Sequence, residues 1–285
     1  MNYHPQFRRR NMTQPPIEKA VILARGLGTR MQRPDDSATL DDEQAAAAQS
    51  GLKAMIPVGR PFLDYVLSAL ADAGYRRLCL VVAPDHEAIR RYYRDDVRPE
   101  RVSVEFAVQE VPKGTADAVA AVEPFAGADP FLVINSDDYY PLEALSRLRE
   151  QDGSATALFE QESMIAGSNI PEDRIRQFAV GQIDGRQFLK RVIEKPDEAT
   201  LASLPRPLWL SMNCWRFGPS IFEACRNIKP SPRGELELPD AVQYAIDQLE
   251  EPFRAVLVRA PVLDLTSRKD VAAVAERLAG VEVRL

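Results

Sequence analysis

Hydrophobic and polar positions alternate in blocks along the first half of the chain. Short apolar runs of strand length lie at 20–24, 78–83, 102–108 and 131–135. Segments with apolar positions at helical spacing lie between and after these runs, at 62–73, 87–94, 116–122 and 142–149. Repeated strand–helix alternation of this kind predicts a Rossmann-like, doubly wound α/β fold with helices on both faces of a mainly parallel sheet.

The second half of the chain has a less regular pattern, and the predicted sheet is therefore mixed. Strands are predicted at 155–159, 188–194, 208–217 and 253–259, and helices at 220–225, 239–249 and 268–278. A polar stretch, Gln32–Ser50, predicts a loop that carries a short helix at its alanine cluster. Residues 1–16, which end in Pro15-Pro16, are predicted to be a flexible tail, and 17–285 a single domain.

Composition excludes several classes of function. No apolar run approaches the roughly 18 residues of a membrane span, so no membrane association is expected. The net charge of −6 and the absence of a basic face argue against nucleic-acid binding. Arg8-Arg9-Arg10 is followed by no apolar stretch, which excludes a secretory signal. The three cysteines are widely spaced and fit no disulfide framework, so a cytoplasmic location is expected.

Histidine is nearly absent, because the chain contains only His4 and His86. The chain therefore offers almost no histidine for catalysis by a serine–histidine or cysteine–histidine pair. Any chemistry must depend on carboxylates, cationic side chains and a bound metal.

A glycine-rich turn follows the first predicted strand. Gly26 and Gly28 permit a tight turn whose backbone N–H groups can cradle phosphate, and Arg30 adds a guanidinium fork. Lys53 supplies a second cation ahead of the next helix. Together these features predict a nucleoside triphosphate site.

Acidic residues follow another apolar strand. Asp137 and Asp138 come after 131–135, where a carboxylate is well placed to hold Mg²⁺ on a polyphosphate, although either could instead cap the next helix. Asp264 also ends an apolar run, and alone it indicates a turn or an N-cap. Gln109 could pair with a base edge through both its donor and its acceptor, with Gly114 allowing close approach.

The order and spacing of these segments over 17–278 resemble the sugar-1-phosphate nucleotidyltransferases, which include glucose-1-phosphate thymidylyltransferase and uridylyltransferase. The resemblance implies a GT-A-like fold with a nucleotide-binding half at 17–150 and a sugar-phosphate half at 151–285. It assigns nucleotide contacts to Ala24, Gly26, Gly28, Thr29, Gln109, Gly114 and Thr115, catalysis to Arg30 and Lys53, sugar-phosphate binding to Glu194, Lys195 and Asn213, and Mg²⁺ to Asp137 and Asp264.

The implied reaction converts an NTP and a sugar 1-phosphate into an NDP-sugar and pyrophosphate, with Mg²⁺ as cofactor. The chain departs from the family pattern at Arg25, where Gly or Ala is usual, at the insertion Gln32–Ser50, and around Asn213. Two alternatives stay open: a cytidylyltransferase acting on a non-sugar phosphate, and a non-catalytic regulatory protein that binds nucleotide sugars. The base, the sugar and the oligomeric state, including a homo-oligomer, also stay open.

Overall fold

A computed structural model describes residues 16–285, so nearly all of the predicted tail at 1–16 lies outside the described residues. The strands are β1 Lys19–Leu23, β2 Arg77–Val82, β3 Ser103–Val108, β4 Phe131–Asn135, β5 Asp138–Tyr139, β6 Ala155–Glu160, β7 Val180–Ile183, β8 Leu189–Ile193, β9 Trp209–Phe217, β10 Arg254–Val258 and β11 Leu263–Asp264. The α-helices are α1 Thr29–Gln32, α2 Asp42–Ser50, α3 Phe62–Asp72, α4 Glu87–Arg91, α5 Thr115–Ala120, α6 Glu123–Ala126, α7 Leu142–Arg149, α8 Gln161–Gly167, α9 Glu172–Ile175, α10 Glu198–Ser203, α11 Ser220–Asn227, α12 Leu238–Gln248 and α13 Asp270–Leu278.

The central sheet confirms the predicted mixed, mainly parallel, doubly wound architecture. Its strand order is β10-β6-β9-β4-β1-β2-β3, with β7 paired to β8 and to β9. Strands β4, β1, β2 and β3 are mutually parallel, whereas β9 runs antiparallel to both β4 and β6. Strands β5 and β11 form a separate antiparallel pair beside the carboxyl end of β4.

The sheet is buried on both faces, as a doubly wound fold requires. In β1, Ala20 and Ile22 pack into one apolar layer while Val21 packs into the other. The same alternation recurs in β2 and β4, because successive side chains of a strand point to opposite faces. These central strands therefore read as continuous apolar runs, which is why the sequence located them within one residue.

The elements that the sequence prediction missed are short and lie in both halves, with α1, α6 and β5 in the first half. Helices α8, α9 and α10 and strand β7 were not predicted, because each has at most seven residues and little periodicity. The helix predicted at 87–94 is α4 followed by a π-helical turn, Tyr92–Val97. None of the helices within residues 16–285 has the length and hydropathy of a membrane-crossing segment.

Candidate active site

A cleft of about 440 Å³ opens at the carboxyl ends of β1 and β4. These neighbouring strands are in register, with Leu23 opposite Asn135, so the segments that follow them emerge side by side. Strand β2, the next strand in the chain, pairs with one edge of β1, whereas β4 pairs with its other edge. Ligands of doubly wound sheets bind at such a change of direction.

The glycine-rich turn packs against the segment that carries Lys53. Gly28 has φ 61°, and a Cβ on it would lie 2.1 Å from the carbonyl oxygen of Gly51. Only glycine therefore fits this close approach. The contact brings Arg30, at the start of α1, and Lys53, at the start of a 3₁₀ turn, to the same cleft.

Lys53 and Asp137 form an ion pair inside the cleft. The Lys53 Nζ lies 2.7 Å from the Asp137 Oδ2, and each side chain is about one quarter exposed or less. Burial alone would lower the pKa of Lys53, but the charges of Asp137, Asp264 and Asp138 outweigh it and raise the pKa. Lys53 is therefore held as a cation beside a carboxylate that faces the cleft.

The structure separates the roles of the two consecutive aspartates. Asp137 lines the cleft, whereas Asp138 is buried in β5, where its Oδ2 accepts from Asn135 Nδ2 at 2.9 Å and from the Tyr140 hydroxyl at 3.1 Å. The Asp138 Oδ1 is buried and has no hydrogen-bond partner among the residues that the structure describes. Burial, with the nearby charges of Asp264 and Asp137, raises the pKa of Asp138 well above its usual value.

Asp264 lies in β11, directly opposite Asp138 across the two-stranded pair. It does not line the cleft surface, and one nitrogen of Arg174, Nη2, lies 3.0 Å from each of its carboxylate oxygens. Burial and the charge of Asp137 raise the pKa of Asp264, while Arg174 opposes that shift. Sequence reasoning missed Arg174, because no motif or strand end marks its position.

Gln109 has less hydrogen-bonding freedom than the sequence suggested. Its Nε2 already donates to Gly114 O at 3.0 Å and to Asp117 Oδ2 at 2.8 Å, and the residue is only 5% exposed. In this arrangement Nε2 is committed to these contacts and Oε1 is the atom that Gln109 offers to a ligand, so its pairing with a base edge stays a prediction. Arg25 lies alongside, with its Nε 3.4 Å from Gln109 O.

The turn that carries Gly114 is paired with a segment from the second half, residues 231–238. Ala116 N donates to Leu236 O at 2.9 Å, and Leu236 N donates to Lys113 O at 2.7 Å. The hydroxyl of Thr115, assigned to nucleotide binding from the sequence, accepts from the N–H of Leu238 at 2.9 Å. Thr115 borders the cleft, but its hydroxyl caps the start of α12.

The residues assigned to the sugar phosphate lie in two places. Asn213 lines the cleft at φ 52°, in an irregular part of β9 where three residues oppose the single residue between Thr156 and Leu158 of β6. Glu194 and Lys195 follow β8 and are exposed outside the cleft lining. Loss of hydration among neighbouring groups and the negative charge of Glu237 raise the pKa of Glu194, although its side chain remains exposed at the surface.

Most of the predicted site residues meet at this cleft. Those lining it are Gly26, Gly28, Thr29, Arg30, Lys53, Gln109, Gly114, Thr115, Asp137 and Asn213. Ala24 is buried beneath the turn and donates its N–H to Val81 O at 2.9 Å. Asn135 and Glu235 also line the cleft and were not assigned, although each adjoins a quoted motif.

The insertion Gln32–Ser50 ends in α2, which leads into the Gly51 segment that packs against the glycine-rich turn. An Asp41–Gln44 capping box starts the helix, and Gln44 Nε2 donates to Pro57 O at 2.9 Å. Asp35 pairs with Lys269 at 3.4 Å rather than with Arg25 or Arg30. The insertion is thus attached at both ends.

Comparison with known proteins decides the family. The family profile described as nucleotidyl transferase matches residues 47–259, about three quarters of the chain. The chain belongs to the nucleotidyl transferase family. The glycine-rich turn precedes the matched range, so its assignment depends on the geometry above.

Relatives of this nucleotidyl transferase are named as enzymes. It is 30% identical over 232 residues to UTP–glucose-1-phosphate uridylyltransferase AglF of Haloferax volcanii, covering 80% of this chain and 83% of the relative. It is 29% identical over 237 residues to the low-salt glycan biosynthesis nucleotidyltransferase Agl11 of the same organism, covering 80% of this chain but only 59% of the relative.

The fold of this nucleotidyl transferase also matches solved structures. A UDP-glucose pyrophosphorylase complexed with UDP-glucose superposes with a TM-score of 0.71 at 17% identity, covering 93% of this chain and 100% of that chain. At this identity the likeness establishes the fold and carries no further argument about the substrate.

Proposed function

We propose that the protein transfers a nucleotidyl group from an NTP to a sugar 1-phosphate, giving an NDP-sugar and pyrophosphate. The observation that carries the proposal is the convergence of Arg30, Lys53 and Asp137 on one cleft at the carboxyl ends of β1 and β4. Two cations and a carboxylate at this edge suit a triphosphate and a divalent cation. The relationship to AglF supports a sugar 1-phosphate as the acceptor.

The reaction needs little from the protein beyond positioning and charge. A phosphate oxygen of the sugar phosphate attacks the α-phosphorus, and the bond from that phosphorus to the bridging oxygen of the pyrophosphate breaks. The attacking oxygen is already an anion, so no general base is required. This agrees with the described cleft lining, in which no residue is histidine. Arg30 would stabilise the departing pyrophosphate, and Lys53 the charge between the reactants.

The residues present fit a magnesium ion delivered with the nucleotide. Asp137 and Asp264 would hold it, and the Asp138 Oδ1, which is buried with no partner within residues 16–285, lies beside them. Within residues 16–285, no three His, Cys, Asp or Glu side chains converge as a complete metal site. Mg²⁺ commonly takes one or two carboxylates and completes its shell with phosphate and water. When bound, it neutralises phosphate charge at the reacting centre.

The geometry at Gln109 favours a base with an N–H group facing the protein. With its Nε2 committed to Gly114 and Asp117, Gln109 offers Oε1 as an acceptor. Uracil and thymine present N3–H, whereas the N3 of cytosine is an acceptor. Guanine also presents a ring N–H, at N1, so the choice of a pyrimidine depends on AglF, a relative named for UTP, and we therefore propose UTP or dTTP.

On the sugar side, Glu194 would accept from sugar hydroxyls and Lys195 would pair with the phosphate, with Asn213 at the cleft wall. Glu194 and Lys195 lie outside the cleft lining, so these roles depend on the family resemblance. The three cysteines are all buried and free, which supports a cytoplasmic location.

The test is a screen of the four common NTPs and dTTP against a panel of sugar 1-phosphates with Mg²⁺, read as pyrophosphate release. Turnover with a uridine or thymidine triphosphate and a sugar 1-phosphate is expected. A phosphocholine and CTP arm tests the cytidylyltransferase alternative. Nucleotide-sugar binding without turnover of any pair would refute the proposal in favour of a regulatory protein.

A further inference from the structure

Arg174 forms contacts that the proposed reaction does not use. Its Nη2 lies 3.0 Å from both carboxylate oxygens of Asp264 and donates to Thr266 Oγ1 at 2.8 Å. Asp264 is only 7% exposed, so little water competes for these oxygens. A guanidinium therefore faces both oxygens of a proposed magnesium ligand.

The main chain of Asp264 is held without any help from Arg174. Asn169 Nδ2 donates to Asp264 O at 2.8 Å, and Asp264 N donates to Asn169 Oδ1 at 2.9 Å. The pairing with Asp138 across β5 and β11 fixes the same residue from the other side. Arg174 therefore contacts the side chain of Asp264 and not its main chain, and its Nη1 also lies 3.9 Å from Asp270 Oδ2.

The charges in this region are unevenly matched without a cation. Asp138 lies directly opposite Asp264 across β5 and β11, and Asp137 immediately precedes Asp138 in the chain. Lys53 bonds to Asp137, and Arg174 bonds to Asp264. A guanidinium and a divalent cation bind to the same carboxylate lone pairs, and the two positive charges repel each other strongly at a buried site of low dielectric constant.

We propose that Arg174 is a positioning residue that neutralises Asp264 while the divalent cation is absent and releases at least one Asp264 oxygen when the cation binds. The inference rests on the proposed function, because it takes Asp264 as a metal ligand. Arg174 lies on the four-residue helix α9, just before the segment that leads into β7 of the second half. Cation binding therefore acts directly on an element of the sugar-phosphate half.

Metal binding to the full chain tests this directly. Arg174→Ala should bind Mn²⁺, followed by electron paramagnetic resonance without nucleotide, roughly tenfold more tightly than the wild type, which corresponds to about 1.4 kcal/mol. Arg176→Ala is the matched control, since Arg176 is exposed and pairs with Glu172 at the end of the same helix. Its Mn²⁺ affinity should equal that of the wild type. Arg174→Lys keeps the charge and should stay much closer to the wild type than the alanine variant.

Thermal unfolding gives a second readout that does not depend on turnover. In EDTA, Arg174→Ala should unfold at a lower temperature than the wild type, because Asp264 loses its partner. Added Mg²⁺ should raise the Tm of Arg174→Ala more than that of the wild type, since a tighter ligand stabilises more. If the ion pair between Arg174 and Asp264 stayed intact when the cation binds, Arg174→Ala would still lower the Tm in EDTA, but Mg²⁺ would not raise the Tm of the variant more than that of the wild type.

The outcomes separate this inference from the proposed reaction. Equal or weaker Mn²⁺ binding by Arg174→Ala overturns the inference, even if the wild type makes a nucleotide sugar. Persistence of tight Mn²⁺ binding in an Arg174→Ala, Asp264→Asn double variant overturns it too, because Asp264 would not be the ligand. Tighter binding by Arg174→Ala together with no wild-type turnover would refute the proposed reaction and leave the metal-site inference standing.

Discussion

Replacing Asp137 with asparagine removes one carboxylate charge while keeping the shape of the side chain. In the wild type the Asp137 Oδ2 accepts from Lys53 Nζ at 2.7 Å, with the two side chains 24% and 21% exposed. A hydrogen bond to a charged group contributes ~1.5–3 kcal/mol, and the asparagine oxygen can still accept from Lys53. We therefore expect a stability loss near the lower bound and a decrease in Tm of a few degrees.

The effect on turnover should be much larger than the effect on stability. Loss of a metal carboxylate removes several kcal/mol of transition-state stabilisation, and about 3–5 kcal/mol corresponds to roughly two to four orders of magnitude in rate. The variant also leaves Lys53 without the anion that contributes most to keeping its pKa raised. Both changes weaken charge neutralisation at the same phosphates.

The assay compares kcat/KM from pyrophosphate release with Tm from thermal unfolding for Asp137→Asn and for Asp36→Asn. Asp36 is an exposed aspartate of the insertion, and its variant should match the wild type in both measurements. If Asp137→Asn kept kcat/KM within a factor of roughly ten, its assignment as a metal ligand would be wrong. If its Tm fell by much more than a few degrees, Asp137 would be needed for folding as well as for catalysis, and the expectation of a small stability loss would be wrong.

Three further predictions follow from the geometry. Lys195→Ala should raise the KM for the sugar phosphate roughly tenfold or more and leave the KM for the NTP nearly unchanged; a change in the NTP KM alone would reassign the two half-sites. Gly28→Ala should lower the Tm because its Cβ would lie 2.1 Å from Gly51 O. Gly26→Ala should not, because its Cβ would meet no described atom within 4 Å, and equal Tm values for the two variants would contradict the close packing of the turn. Burial raises the pKa of Cys79 and Cys225 to about 12 and that of Cys214 well above its usual value, so their thiols stay neutral at pH 8. The native protein should therefore react slowly with a thiol reagent and show three reactive thiols after denaturation, whereas a fast reaction of the native protein would contradict their burial.

The central strands and the cleft were predictable because they leave strong local patterns. Buried parallel strands read as short apolar runs, and glycines or acidic residues at their carboxyl ends mark the ligand-binding edge. Arg30 and Asp137 follow such strand ends, Lys53 lies just after the Gly51 segment that packs against the glycine-rich turn, and the fold brings the three together. Helices α8, α9 and α10 of the second half were missed because short elements lack enough turns to show a period.

Side-chain partnerships across the fold were beyond the sequence. Arg174 lies 90 residues from Asp264, and only the folded chain brings the two into contact. The orientation of the Gln109 amide depends on Asp117, one helical element further on. Such contacts join elements with no fixed spacing, so a motif read along one chain cannot reveal them.

The backbone pairing between the Gly114 turn and residues 231–238 has a consequence for engineering new specificity. Leu236 donates to Lys113 and accepts from Ala116, and a Cβ on Gly114 would lie 2.3 Å from the Leu236 carbonyl oxygen. If residues 231–238 were replaced by the corresponding loop of a homologue to change the sugar specificity, the new loop would pair with a Gly114 turn whose conformation fits a different backbone. Exchange of the two segments together should give folded chimeras, whereas exchange of either one alone should displace the turn that follows Gln109.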